Sequence, residues 1–161
     1  MVAQARRALG TKKVGHAGTL DPAATGLLVL GIGAGTRLLT FVVGADKSYR
    51  ATMRLGYGTT TDDAEGEALA PTGDIEAVSE ESVRAAAAAM VGEIDQVPST
   101  YSAIKVDGKR AYDLARSGQD VSLTSRRVTI HALDIDELTR SEGVLDVTIR
   151  VECSSGTYIR A

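Results

Sequence analysis

The segment Gly15-His16-Ala17-Gly18-Thr19-Leu20-Asp21-Pro22-Ala23-Ala24-Thr25-Gly26 sets one carboxylate among residues with almost no bulk. Pro22 fixes the backbone just after Asp21 and biases Asp21 away from helix. Glycines on both sides let another backbone approach closely. Two readings fit these residue types. One is a turn aspartate that caps a helix. The other is a positioned carboxylate in a floor open to a flat ligand, with Asp21 as the group that does the chemistry.

Other candidates are weaker. Gly31-Ile32-Gly33-Ala34-Gly35-Thr36 follows an apolar run and precedes a predicted helix, the context of a dinucleotide-binding turn. Thr36 occupies the third glycine position, and residues 47–61, where an acid for a ribose would fall, contain none. A strand-to-helix turn that needs glycine dihedrals is the better reading. His16 and His131 are far apart in sequence and Cys153 is the one cysteine, so no metal-ligand spacing exists. No serine sits in a G-x-S-x-G elbow. Asp62, Asp63, Glu65 and Glu67 lack the spacing of a calcium loop and read as a solvated acidic loop, one member of which is available to a site.

The 161 residues are one domain's worth of chain. With 43% hydrophobic and 24% charged residues, the profile is that of a soluble globular protein, not a disordered one. No apolar run approaches the ~20 residues that span a bilayer, and no basic-then-apolar leader opens the chain. A single cysteine excludes an internal disulfide and fits a reducing, cytoplasmic setting. The net charge of −3 argues weakly against a nucleic-acid partner, but it hides strong segregation. Residues 1–60 sum to +6, 61–95 to −9, 96–127 to +3 and 128–161 to −3. Steering follows local potential, so the two basic segments are candidates for one cationic face.

The elements that must position these residues read as follows. Residues 2–9 end a helix stopped by Gly10. Leu27–Ile32 is a short continuous apolar run, predicted as a buried strand. Thr36 is placed to cap a helix reaching about Val43. In Lys47–Leu55, Tyr49, Ala51, Met53 and Leu55 share one face, which predicts a half-buried strand. Residues 56–76 read as a polar loop, and Ser79 as the cap of a helix over Glu80–Val91 with Gly92 past its end. Residues 96–110 predict a strand and an Asp107-Gly108 hairpin turn, Ala111–Arg116 a short helix, and Val128–Leu138 and Val144–Cys153 two β segments. Several strands with few helices between the last ones give an α+β sheet protein.

Four stretches, in order, resemble the motifs of the TruB family of tRNA pseudouridine synthases. Gly15–Gly26 carries all of the family's G-H-x-G-x-L-D-P-x-A-T-G signature. Asp46-Lys47-Ser48-Tyr49-Arg50 is similar to its D-K-x-Y-R strand. Gln96–Tyr112 is similar to its Q-x-P-P/S-x-Y-S-A-x-K-x-x-G-x-x-x-Y segment, and Cys153–Arg160 to its C-x-x-G-T-Y-I-R motif. The resemblance covers nearly the whole chain. It implies a pseudouridine-synthase-like, largely antiparallel sheet flanked by helices, with residues 96–127 as an RNA-gripping thumb. It also implies a single catalytic domain over residues 1–161 that begins inside the family's first helix, lacks the strand before it, and stops short of the family's C-terminal part.

The family isomerises a uridine to pseudouridine at position 55, in the T loop of tRNA, without metal or organic cofactor. The bond from N1 to the ribose breaks, the base turns, and a carbon–carbon bond forms through C5. The resemblance makes Asp21 the nucleophile, attacking either C6 of the base or C1′ of the sugar. The nucleotide must first be flipped out of the stack. Tyr49 would stack on the flipped base and suit proton transfer at C5; its plain alternative is a core strand tyrosine. His16 would fill the space left in the RNA stack, and Arg160 would pair with the catalytic aspartate. Tyr158 would face the same way as Arg160 if Val151–Arg160 is extended, and Asp63 matches an acidic position near the site. Lys105, Lys109 and Arg110, with Arg116, Arg126 and Arg127, are suited to phosphates. The partner implied is the T arm of tRNA, bound by a monomer. A non-catalytic tRNA-binding or tRNA-folding module is the alternative from another class, and the intact Asp21, Tyr49 and Arg160 set argues against it.

Overall fold

A computed structural model describes residues 1–21, 23–102, 104–106, 108–112, 117 and 122–161, without the side chains at 105, 106, 109 and 110. The chain divides into two compact units, Met1–Asp46 and Lys47–Ala161.

In the first unit, helix α1 (Val2–Ala8) ends before Gly10, which takes a left-handed φ of +61° as the sequence predicts. Strands β1 (Val14–Ala17) and β2 (Val29–Ile32) pair antiparallel, with His16 opposite Leu30. The loop between them carries Asp21. A 3-10 helix over Gly33–Leu39 then runs into α2 (Thr40–Val43). Two expectations are corrected here. Thr36 does not cap a helix; it lies inside the 3-10 turn, where its hydroxyl donates to the Gly33 carbonyl at 2.8 Å. Nor is Leu27–Ile32 a buried strand. Leu27 is 88% exposed and Val29 and Ile32 are exposed as well, because β2 has a single partner strand and only Gly31 is covered. A Cβ at Gly31 would stand 2.8 Å from the Leu39 side chain and 2.9 Å from the Gly35 carbonyl. That close approach explains Gly31 without a nucleotide.

The second unit is built on a four-stranded sheet in the order β3-β10-β9-β6, where β3 is Lys47–Leu55, β6 Gly92–Gln96, β9 Arg126–Ser141 and β10 Val144–Cys153. Every strand pairing among the described residues is antiparallel. Period-2 alternation puts Leu145, Val147, Ile149, Val151 and Cys153 of β10 on one face, all buried. They form the core with Ile75, Val83 and Ile130, and Tyr49, Ala51 and Leu55 of β3 pack against it. The other face is polar: Arg54 makes a two-point ion pair with Asp146 at 2.7 and 2.6 Å, and Arg50 and Arg150 share Asp136. The Arg54 guanidinium holds the Asp146 carboxyl below its usual value.

Helix α3 (Glu80–Ala89) starts where Ser79 Oγ accepts the Ser82 amide at 3.1 Å, and Glu80 and Glu81 stand at its positive end. The stretch 56–76 is more than a loop. Strands β4 (Tyr57–Thr59) and β5 (Ala68–Pro71) pair within it, followed by a 3-10 turn at Ile75–Ala77. Strands β7 (Lys105–Val106) and β8 (Lys109–Arg110) form the expected hairpin, with Gly108 at φ +83°. Asp107 and most of the helix predicted over Ala111–Arg116 lie outside the described residues. Among the described residues no helix is long and apolar enough to cross a membrane.

Candidate functional site

In the first unit, the β1–β2 loop shapes a concavity of about 470 Å³ whose lining includes His16, Thr19, Leu20, Asp21 and Leu28. The Asp21 carbonyl accepts the Ala24 amide at 3.0 Å, which closes a turn and leaves the carboxylate at an exposed position. Gly18 (φ +105°) and Gly26 (φ +129°) take backbone angles that side chains resist, so the segment's glycines set the path of this loop. His16 Nδ1–H donates to the Gly18 carbonyl, which fixes the ring at the strand end and leaves Nε2 as its other polar atom. The loop therefore brings His16 and Asp21 to one concave wall.

In the second unit, Arg160 is gripped from two segments. Its Nη1 donates to Asp63 Oδ2 at 2.8 Å and to the Thr61 carbonyl at 3.3 Å; its Nη2 donates to the Tyr101 carbonyl at 2.9 Å. The side chains of Arg160 and Asp63 are only 19% and 24% exposed. Asp63 is itself held: Oδ1 accepts the Thr61 hydroxyl at 2.6 Å and the Glu65 amide at 3.0 Å. The Thr61 hydrogen bond foremost, then the Glu65 amide and the Arg160 guanidinium, keep the Asp63 carboxyl below its ordinary 3.8 despite partial desolvation. Gly66 makes room for this turn, because a Cβ there would come within 2.4 Å of the Thr61 hydroxyl.

A lowered carboxyl pKa stabilises the fold above the unfolded-state value, and the stabilisation is lost as pH falls through the folded-state value. Asp63→Asn should therefore lower Tm near neutrality, and the gap from wild type should close below about pH 4. Thermal melts across pH check this; a gap that persists in acid would show that Asp63 contributes by shape and not by charge.

With Asp63 as the one member available to a site, the rest of the acidic loop is expected to be solvated surface. Asp62 corrects this. It adopts a left-handed φ of +58°, which Asp tolerates, and its Oδ2 accepts the hydroxyl of buried Ser99 at 2.7 Å. Ser99 Oγ in turn accepts the Tyr101 amide at 3.2 Å. This ties the acidic loop to the segment whose Tyr101 carbonyl meets Arg160. The acidic loop was legible in the sequence, but the long-range partner of Asp62 was not.

Tyr158 does not follow from an extended Val151–Arg160. β10 ends at Cys153, and the chain then turns, with Gly156 at φ +88° and the Thr157 hydroxyl donating back to the Ser154 carbonyl at 2.9 Å. Tyr49 is half-buried on β3, opposite Val151, on the face that packs against the core. Lys105, Lys109 and Arg110 are paired through their backbones in the β7–β8 hairpin; their side chains lie outside the described residues. Among the described residues no group of three or more His, Cys, Asp or Glu side chains is arranged to hold a metal ion.

Residues 6–159 match the model of a family described as TruB family pseudouridylate synthase (N terminal domain). A tRNA pseudouridine synthase B of Arthrobacter sp. (strain FB24) is 60% identical over 163 aligned residues, spanning 100% of this chain and 53% of that protein. The protein of that name from Leifsonia xyli subsp. xyli (strain CTCB07) is 56% identical, over 100% of this chain and 54% of that one. The chain thus spans about half the length of the curated relatives it matches. Among solved structures, a Cbf5-Nop10-Gar1 complex holds a chain that is similar with a TM-score of 0.65 and 26% identity, over 98% of this chain and 36% of that one. An H/ACA RNP bound to a substrate RNA containing 2'-deoxyuridine holds another, with a TM-score of 0.63 and 25% identity, over 98% and 34% of the two chains.

Proposed function

The chain belongs to the TruB family of pseudouridylate synthases, and from that premise we propose that it is the catalytic part of an enzyme that isomerises uridine 55, in the T loop of tRNA, to pseudouridine. One observation carries the reading: Asp21 stands on the wall of a concavity, within a segment that matches the family signature throughout. The uridine is flipped from its stack into the site, at a cost of a few kcal/mol. Asp21 attacks C6 or C1′, the N1–ribose bond breaks, the base turns, C1′ bonds to C5, and the bond to Asp21 breaks to return the carboxylate. The proton on C5 leaves and N1 gains one, so no electrons change hands and no cofactor is needed. A covalent carboxylate suits such a rearrangement because it splits one difficult step into two.

Tyr49 stacks on the base and serves proton transfer at C5. His16 takes the place of the flipped base in the RNA stack, which an imidazole does whether neutral or charged. Arg160 supplies a positive charge complementary to the nucleophile, with Asp63 and Tyr158 beside it. Residues 96–127 act as a thumb whose Lys105, Lys109 and Arg110 hold phosphates of the T arm. The enzyme works in the cytoplasm as a monomer.

Release of tritium from C5-labelled uridine in a tRNA transcript tests the reaction. Binding without release would leave a tRNA-binding module instead. The phosphate contacts have their own test. Affinity should fall by roughly 0.7–0.9 log units per log unit of salt for each phosphate neutralised. Replacing Lys109 and Arg110 with Ala should flatten that slope; an unchanged slope would remove both from the interface.

A further inference from the structure

We propose that Gln96 is a positioning residue for Arg160. The proposal rests on the role given to Arg160 above. After Cys153 the chain leaves the sheet: the Ser154 amide still donates to the Thr129 carbonyl of β9 at 2.9 Å, but among the described residues no strand pairs with residues 155–161 to fix their path. Gln96, the last residue of β6, supplies the missing pairing with its side chain. Its Nε2 donates to the Tyr158 carbonyl at 2.8 Å and its Oε1 accepts the Tyr158 amide at 2.9 Å, with a longer contact from Nε2 to the Ala161 carbonyl at 3.4 Å. One carboxamide thus satisfies both backbone groups of a half-buried residue, as an opposing strand would.

The consequence falls on Arg160, two residues on. Segment 96–101 holds segment 158–160 at both ends: the Gln96 carboxamide at the Tyr158 backbone, and the Tyr101 carbonyl at Arg160 Nη2. Between these points Pro98 and Ser99 are buried, and Pro98 has a fixed φ, so the spacing of the two grips is stiff. The hydrogen bonds described for the Gln96 side chain run to the Tyr158 and Ala161 backbone and not to the guanidinium or its acceptors; Gln96 sets where the backbone delivers the Arg160 side chain. Its loss should alter orientation while leaving every charge in place. A rearrangement that needs reacting groups aligned is sensitive to such displacement.

The test is single-turnover isomerisation of tRNA by Gln96→Ala, Gln96→Glu, Arg160→Lys and the Gln96→Ala/Arg160→Lys double variant, with circular dichroism to show that each folds. Gln96→Ala should slow the chemical step about 10–100-fold while tRNA affinity stays within about twofold, since orientation and not uniform binding is lost. The double variant should be no more than about threefold slower than Arg160→Lys, because residues acting through one another are not additive.

Gln96→Glu is nearly isosteric and adds a chemical signature. As a carboxylate it can accept from the Tyr158 amide but repels the Tyr158 carbonyl; protonated, it can donate again. Its rate relative to wild type should therefore rise as pH falls from about 8 toward the carboxyl range. Wild-type turnover by Gln96→Ala, multiplied effects in the double variant, or a pH-independent Gln96→Glu ratio would each overturn the proposal while leaving Arg160 in its role. Wild-type turnover by Arg160→Lys would instead overturn the role of Arg160, and the proposal with it.

Discussion

In a protein carrying Asp21→Asn, single-turnover conversion of uridine is expected to fall below detection while tRNA binding and circular dichroism stay as in wild type. Asn is nearly the same size as Asp and keeps one acceptor oxygen. The bond that shapes the turn runs from the Ala24 amide to the Asp21 backbone carbonyl and does not involve the side chain. The turn itself should therefore persist, which the circular dichroism control checks. The chemistry is another matter. An amide cannot act as an anionic nucleophile at C6 or at C1′, so the two-step path has no first step. Loss of a general acid or base costs typically about 10²–10⁴-fold and leaves a measurable residue. A folded Asp21→Asn protein with a substantial rate would sink the assigned mechanism, whichever carbon is attacked.

Arg160→Lys is expected to lower the single-turnover rate about 10²–10³-fold, the range for removing one preorganised charge-stabilising donor, with little change in tRNA affinity. Charge is conserved, so the effect isolates geometry. The guanidinium spans three acceptors from two segments, Asp63 Oδ2, the Thr61 carbonyl and the Tyr101 carbonyl. An ammonium is a compact point charge on a flexible stem and cannot hold the same planar fork. Asp63 keeps the Thr61 hydroxyl and the Glu65 amide, so the acidic turn should persist. The Tyr101 carbonyl loses its donor, for a stability cost of about 1–3 kcal/mol. Denaturant melts and rates measured on the same preparation separate the two effects. A rate within about threefold of wild type would remove the guanidinium's geometry from the chemistry.

The strands of the second unit were legible because local pattern and tertiary need agree there. Lys47–Leu55 and Val144–Cys153 alternate with period 2; β10 buries one face, and Tyr49, Ala51 and Leu55 of β3 pack half-buried against the same core, while Met53 on that face of β3 is exposed. Ser79 capping α3 and Gly10 ending α1 are short-range chemistry, and both are found where the sequence puts them. Leu27–Ile32 misleads for the opposite reason. Apolar composition speaks of a preference for burial, while burial itself depends on how many layers arrive, and β2 has one partner strand. The hairpin hidden in 56–76 was missed because β4 and β5 are three and four residues long, too short for a period to register.

By itself the sequence determined the α+β class, the family, and which residues are candidates for the site, since these depend on residue types at fixed local spacing. Only the tertiary structure decided who holds whom. Asp63 meets Arg160 across 97 residues, Ser99 meets Asp62 across 37, and Gln96 meets Tyr158 across 62. Each of these bonds joins a donor and an acceptor of ordinary type, and Asp, Ser, Gln and Arg recur along the chain. Nothing in their spacing selects one partner over another. The selection comes from the sheet, which brings the end of β6 beside the chain leaving β10 and so lets local groups satisfy each other at 2.7–2.9 Å.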